Sequence, residues 1–242
     1  EVRAVDDVSL TVARGEVLGL VGESGSGKST LGRTAVRLVT PDGGKVMVGG
    51  TDLAALSDEE LRKQRHKVQM VFQDPYASLN PRQRIMGAIT DGPITRGIPR
   101  KEAEARAREL LEIVGLGADA ASRFPHEFSG GQRQRIGIAR ALAMDPELII
   151  ADEAVSALDV SIQAQVLDLL RELREKLELS ILFITHDLRV AAQLCDRIAV
   201  MQKGKLVEIG TVHDIFLNPQ QDYTRKLLAA VPGADWDRQG AA

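Results

Sequence analysis

The sequence predicts an α/β fold in which a mainly parallel sheet is covered on both faces and interrupted by a helical insertion. Three observations predict it. Short apolar runs alternate with amphipathic helical stretches at the start of the chain and again after residue 145, the rhythm of parallel strands joined by crossover helices. Between about residues 81 and 145 the strand patterns vanish, which marks an all-helical subdomain inserted in the α/β core. The chain has 242 residues, 44% of them hydrophobic, enough to bury a sizeable core as one large domain or a domain with a subdomain.

Taken in order, residues 8–12 (VSLTV) alternate in polarity like a strand, and Arg14-Gly15 turns the chain into a second apolar run over 17–21. That run ends in glycines and is followed by a helix over about 28–38, stopped by Pro41-Asp42-Gly43-Gly44. Residues 45–48 and then Gly49-Gly50 read as strand and turn. Ser57 and Glu60 have capping-box spacing, so a short helix begins there. Residues 68–72 are a buried strand. Residues 100–114 form a charged amphipathic helix with Leu110, Leu111 and Val114 on its apolar side. Residues 148–151 are a strand, and Val166, Leu170, Leu173 and Leu177 step along one face of a helix. Residues 180–185 form a strand, 188–194 a helix, and 198–201 with 205–209 a hairpin around Lys203-Gly204. The expected division is an α/β core over 1–80 and 145–215, a helical subdomain over 81–144, and a C-terminal helix and tail over 216–242. Residues 232–242 are small and polar and are expected to fray.

Composition excludes several classes. Lys and Arg number 31 against 34 Asp and Glu, a net charge of −3, so no global basic field points to nucleic acid. Cys195 is the sole cysteine, which excludes an internal disulfide framework and suits a reducing compartment. No run approaches the roughly 18 apolar residues of a membrane span; residues 181–184 are strand-sized. No signal peptide opens the chain, and its first residue is Glu1 rather than Met, the pattern expected of a fragment.

The chemistry concentrates at strand ends. Gly22-Glu23-Ser24-Gly25-Ser26-Gly27-Lys28-Ser29 fits the phosphate-binding pattern G-x-x-x-x-G-K-S, directly after a strand and opening a helix. Glycines let backbone amides curl around phosphate oxygens, and the helix start adds partial positive charge. Lys28 is expected to reach the β- and γ-phosphates and the Ser29 hydroxyl to ligate Mg²⁺. Residues 148–153 form an apolar strand ending in Asp152 and Glu153. An aspartate at such an end can hold the Mg²⁺ shell, and Glu153 can orient or deprotonate the attacking water; two acids merely solvated at a strand end are the plain alternative. Ser129-Gly130-Gly131-Gln132 opens a further helix with a good N-cap and exposed amides, a second anion site or an ordinary capped helix. One phosphate loop and a second anion site in another subdomain fit a two-fold head-to-tail dimer, each site serving the other chain's nucleotide.

These motifs, in this order over nearly the whole chain to about Pro232, resemble the ATP-binding subunits of ABC transporters. On that resemblance Gly22–Ser29 with Thr30 corresponds to Walker A of a P-loop NTPase (RecA-like) core with an antiparallel β part. Gln73 is the Q-loop glutamine, with its amide on Mg²⁺ or the lytic water. Phe128 with Ser129, Gly130, Gly131 and Gln132 is the signature, with Phe where Leu is commoner, facing the partner chain's ATP. Residues 148–153 are Walker B with Asp152 near Mg²⁺ and Glu153 as the catalytic glutamate. Residues 156–159 are the D-loop, with Asp159 meeting the partner chain or capping the next helix. His186 is the H-loop histidine, on the γ-phosphate and catalytic with Glu153. Residues 73–81, 156–165 and 218–232 look more specifically like the oligopeptide, dipeptide and nickel importer branch.

The resemblance implies ATP and Mg²⁺ as ligands and ATP hydrolysis coupled to membrane transport, most specifically peptide uptake. It implies as partners a second nucleotide-binding domain, transmembrane permease subunits and an extracytoplasmic solute-binding protein. It places the chain peripherally, on the cytoplasmic face of the cell membrane. The permease's coupling helix is expected in the groove near residues 73–80. Three departures stand out. The family stacks adenine on an aromatic ahead of the phosphate loop, at a point that falls before Glu1, and no aromatic precedes Phe72. Base–aromatic stacking is worth about 1–3 kcal/mol, so this chain is expected to bind nucleotide more weakly. Ala154-Val155 replaces a Pro-Thr-like pair, with little effect expected. The cysteine-rich iron–sulfur segment frequent in the peptide branch is missing. The start also admits the second half of a two-ATPase polypeptide. The alternative class, a soluble ABC ATPase acting on nucleic acid or ribosomes, calls for a long coiled-coil insertion or a second cassette, and this length holds neither.

Overall fold

In a pleated strand successive side chains point to opposite faces, and the apolar runs of this chain bury both. The computed structural model describes residues 3–74, 76 and 78–230. Its first half runs β1 (Val17–Val21), α1 (Lys28–Ala35), β2 (Met47–Val48), β3 (Thr51–Asp52), α2 (Asp58–Gln64), β4 (Val68–Val71), α3 (Ile85–Thr95), α4 (Arg100–Ile113) and α5 (Gly130–Leu142). There follow β5 (Leu148–Asp152), α6 (Val160–Leu177), β6 (Ser180–Thr185), α7 (Leu188–Leu194), β7 (Arg197–Gln202), β8 (Lys205–Thr211), α8 (Val212–Leu217) and α9 (Asp222–Ala229).

The main sheet has the order β4-β5-β6-β1-β7-β8. Its first five strands are parallel, and β8 returns antiparallel to β7. The hairpin turns on Lys203 and Gly204, both at positive φ, the geometry that matches strand twist in two-residue turns. The alternation then builds two cores. Val17, Val21, Ile149, Ala151, Ile181, Phe183, Ile198 and Val200 face α6, α7 and the helical insertion. Leu18, Leu20, Ile150, Leu182, Ile184 and Met201 face the other way, toward α1 and the buried Leu53 and Leu61. Ile150→Val removes one methyl from that second layer and is expected to lower stability by about 1 kcal/mol, read as a lower urea midpoint at unchanged slope.

Among the described residues no strand lies between β4 and β5. The insertion's buried side chains, Ile85, Ile89, Leu110, Leu111 and Ile136, are continuous with the first core. α5 is the joint between insertion and sheet. It buries Ile136, Ile138, Ala139 and Leu142, its Gln134 Nε2 donates to the Phe72 carbonyl at 3.4 Å, and its Arg140 guanidinium donates to the Ser78 carbonyl.

Two expectations are corrected. Residues 8–12 do bury Val8, Leu10 and Val12 partly against the second core, but they join no ladder. Alternation fixes which side chains turn inward, whereas a strand also needs a paired neighbour. The helix expected over 28–38 ends at Ala35, because Arg37 takes φ 55° and the Leu38 N–H bonds back to the Arg33 carbonyl at 2.8 Å, a left-handed helix stop. Arg37 Nε donates to the Leu53 carbonyl at 3.0 Å, which holds that conformation. The capping box at Ser57 and Glu60 forms as expected. Residues 232–242 lie outside the described residues.

Candidate active site

The parallel strands end nearly level. Val21 lies opposite Thr185, Asp152 opposite Ile184, and Val71 opposite Ala151. Just past these carboxyl ends come Gly22, His186, Glu153 and Gln73, one from each of four strands. Crevices outside the carboxyl ends of a parallel sheet are where such folds bind ligands.

The loop after β1 wraps onto the start of α1. Gly27 occupies its N-cap at φ 103°, and a Cβ there would run into the Ala4 carbonyl, so a larger residue is excluded by both backbone and neighbour. Glu23, Ser24 and Gly25 form the exposed crest and Ser26 is buried. Ser29 and Thr30 lie in the first turn of α1, which carries no acidic residue to offset its positive end. Lys28 is only 4% exposed. Its Nζ donates to the carbonyls of Gly22 at 2.7 Å and Glu23 at 2.8 Å and lies 3.4 Å from Ser26 Oγ. Burial pulls its pKa below the usual lysine range, and the charges of Glu153 and Asp152 work against that.

The Ser29 hydroxyl donates to Asp152 Oδ1 at 2.8 Å, reaching across the end of β6. Asp152 is buried, which raises its pKa, and the Ser29 bond opposes the rise. Glu153 turns out of β5 at φ 48°, a left-handed conformation held by its N–H donating to the Ile184 carbonyl at 2.9 Å. A non-glycine residue in that region stores strain, and such strain gathers at functional sites. The turn brings Glu153 Oε2 within 3.1 Å of Gln73 Nε2, which donates to it, and within 3.5 Å of His186 Nδ1. Gln73 Nε2 also reaches Ser156 Oγ at 3.3 Å, while that hydroxyl donates to the Glu153 carbonyl at 2.9 Å. Glu153 is 18% exposed at its side chain and His186 is 56% exposed, so the cluster faces solvent with its carboxylate recessed.

Thus the residues of 22–30, Gln73, Asp152, Glu153 and His186 share one edge of the sheet. Ser129, Gly130, Gly131 and Gln132 sit elsewhere. Ser129 caps α5 with its Oγ accepting from the Gln132 N–H at 3.3 Å, and the Gln132 Oε1 accepts from the Ser129 N–H at 2.9 Å. Gly131 packs so closely on Ile162 of α6 that a Cβ would clash with its methyl. Ser129, Gly131 and Gln132 border a cleft of about 390 Å³ with Arg135, Ile162 and Gln165, and no residue of 22–30 lines it. Asp159 occupies the N-cap position of α6 without a side-chain capping bond, beside Val160, which is 84% exposed.

Two participants were not singled out from the sequence. Ser156 was a member of a motif rather than a ligand of Gln73, although a serine three residues after Glu153 is a signal for a hydroxyl–carbonyl turn. Tyr223 of α9 accepts from the Glu23 N–H at 3.2 Å, and no local pattern announces that contact.

Comparison with known proteins agrees with this geometry. A family profile described as ABC transporter matches residues 5–156. A putative peptide import ATP-binding protein of Brucella ovis is 53% identical over 97% of this chain and 74% of its own. The oligopeptide transport ATP-binding protein AppF of Bacillus subtilis is 53% identical over 96% of this chain and 71% of its own. The glutathione import ATP-binding protein GsiA of Shigella boydii is 54% identical over 99% of this chain but 38% of its own. Among solved structures, the dimeric post-hydrolysis ATP-binding cassette MJ0796 bound to ADP and Pi has a TM-score of 0.77 at 32% identity, covering 87% of this chain and 91% of that one. The cbiO1 structure from Clostridium perfringens has a TM-score of 0.80 at 27% identity, covering 95% and 89%. With the phosphate loop, the acid pair and these matches in hand, the chain belongs to the ABC transporter family and is one of its ATP-binding, ATP-hydrolysing members.

Proposed function

We propose that this chain powers the uptake of oligopeptides or dipeptides, as one of two nucleotide-binding subunits that close head to tail over two ATP molecules. The observation that carries the catalytic part is the bonded set Gln73–Glu153–His186 beside the Ser29–Asp152 pair. The peptide part is supported by the names of the relatives, two of which are peptide transport proteins and one a glutathione import protein.

In this scheme the amides of 22–30 and Lys28 grip the triphosphate. Glu153 takes the proton of the attacking water, with Gln73 Nε2 and His186 Nδ1 both set against its Oε2. Ser129, Gly130, Gly131 and Gln132, at the positive end of α5, close over the γ-phosphate held by the mate, and Asp159 meets the mate's phosphate loop. Mg²⁺ fits the donors present. Ser29 Oγ and the Asp152 carboxylate are hard oxygens already paired, with Gln73 nearby, and no cluster of three or more His, Cys, Asp or Glu competes among the described residues. That is the sparse protein coordination Mg²⁺ takes when phosphates and water complete its shell. Bound there, the ion neutralises charge on the β- and γ-phosphates.

Among the described residues no helix is long and apolar enough to cross a membrane. On the importer reading the subunit works from the cytoplasmic face through permease partners. A cleft of about 340 Å³ between the sheet and the insertion, bordered by Met70, Phe72, Ala88 and Met144, lies close to the exposed Leu38 and offers an apolar seat for the permease's coupling helix. An extracytoplasmic solute-binding protein delivers the cargo. Reconstitution with its permeases in vesicles tests the proposal: peptide-loaded binding protein is expected to stimulate ATP hydrolysis several-fold. Stimulation by glutathione alone, with none by di- or oligopeptides, overturns the assignment of cargo.

A further inference from the structure

A peptide unit is planar, so gripping both its edges fixes its orientation. The Gly22–Glu23 peptide opens the phosphate loop and is held in this way. Its carbonyl accepts from Lys28 Nζ at 2.7 Å, and its N–H donates to the Tyr223 hydroxyl at 3.2 Å, across 200 residues of sequence. The tyrosine is not a free surface side chain. Its ring packs partly buried on the first core, and its helix is anchored at the start by a single carboxylate from β8. Glu208 accepts from the Gln220 N–H at 2.7 Å, from the Gln221 N–H at 3.2 Å, and from the hydroxyl of the fully buried Thr224. An unbroken path of hydrogen bonds and covalent backbone thus runs from the hairpin strand through α9 to the phosphate loop.

We propose that α9 is a clasp on the phosphate loop, with Tyr223 as a positioning residue whose hydroxyl sets the Gly22–Glu23 peptide for the triphosphate. The proposal rests on the assignment of residues 22–30 as the triphosphate cradle. Lys28 spends two of its three ammonium donors on the carbonyls of Gly22 and Glu23, and turning toward a phosphate loosens that hold. Once Lys28 turns, the Tyr223 bond remains on the other edge of that peptide. The hydroxyl therefore matters most when nucleotide is bound, and its contribution belongs to affinity. Glu153 and His186, which carry the chemical step, are held by Gln73 and the β6 backbone instead.

Tyr223→Phe deletes the hydroxyl and keeps the ring. In the full chain, titration with the fluorescent analogue TNP-ATP and steady-state ATP hydrolysis are expected to show Kd and KM raised about 3- to 10-fold, the range of one neutral hydrogen bond. The expected kcat stays within about twofold, and the urea midpoint of the nucleotide-free protein falls by no more than one partly exposed neutral hydrogen bond contributes. Glu208→Gln, which weakens the anchor, is expected to raise Kd in the same direction and to combine with Tyr223→Phe less than multiplicatively. An unchanged Kd in Tyr223→Phe, or a fall in kcat at constant KM, overturns the clasp. Lys28→Ala is measured alongside. Normal binding by that variant overturns the cradle assignment itself, whereas loss of binding there with normal binding in Tyr223→Phe overturns only the clasp.

Discussion

Glu153→Gln is expected to cut ATP turnover by about 10²- to 10⁴-fold, the range supplied by a positioned general base, while nucleotide binding persists. The substitution is nearly isosteric. A glutamine oxygen still accepts from Gln73 Nε2, now 3.1 Å from Glu153 Oε2, and the left-handed backbone at φ 48° is as strained for one residue as for the other. What disappears is the capacity to take a proton and the negative charge 3.5 Å from His186 Nδ1. On the proposed assignment binding lies with the loop and α1, which the change leaves alone, so ATP-bound pairs should accumulate because nothing discharges them. Size-exclusion chromatography with ATP is expected to show a dimer that the unaltered chain forms only transiently. Turnover close to normal in this variant would mean that the proton goes elsewhere and that Glu153 only orients.

The second large effect is expected from Lys28→Ala, with ATP affinity falling about 100-fold or more. Charge-assisted hydrogen bonds contribute about 1.5–3 kcal/mol each, and about 1.4 kcal/mol is a factor of ten; two such bonds to phosphate oxygens account for the loss. The ammonium is already desolvated at 4% exposure, so much of the cost of bringing it out of water is met before nucleotide arrives. Burial also holds its pKa below the usual lysine range. The carbonyls of Gly22 and Glu23 lose their donor in this variant, and Glu23's still accepts from the Ser26 N–H at 3.2 Å. Isothermal titration with ATP reads the change directly, and an affinity equal to that of the unaltered chain removes the phosphate role of Lys28.

Much of this site was legible because each of its parts follows an apolar run. A strand buried on both faces shows as a short hydrophobic stretch, and the first polar or glycine residue after it falls at the sheet's edge. That reasoning located Gly22, Asp152, Glu153 and His186 without knowledge of strand order. It did not supply the contacts among them, since Gln73 and Glu153 are 80 residues apart and their meeting depends on β4 pairing with β5. It expected helix throughout 81–144 but gave α3 no bounds of its own, because Gly87, Gly92 and Pro93 each disfavour helix locally. Burial of Ile85 and Ile89 overrides them. At residues 8–12 the error ran the other way, with the polarity of a strand present and the partner absent. Tyr223 carries no local signal at all, because its meaning lies in a backbone amide at the other end of the chain.

The contact between Gly131 and Ile162 has a mechanical consequence. With no room for even one more methyl between them, the first turn of α5 and the early turns of α6 cannot slide across each other without opening a void. On the proposed head-to-tail dimer, that contact ties the start of α5 at Ser129 and Gly131 to the start of α6 at Asp159 and Val160, so the two surfaces assigned to the opposite subunit are coupled through one glycine.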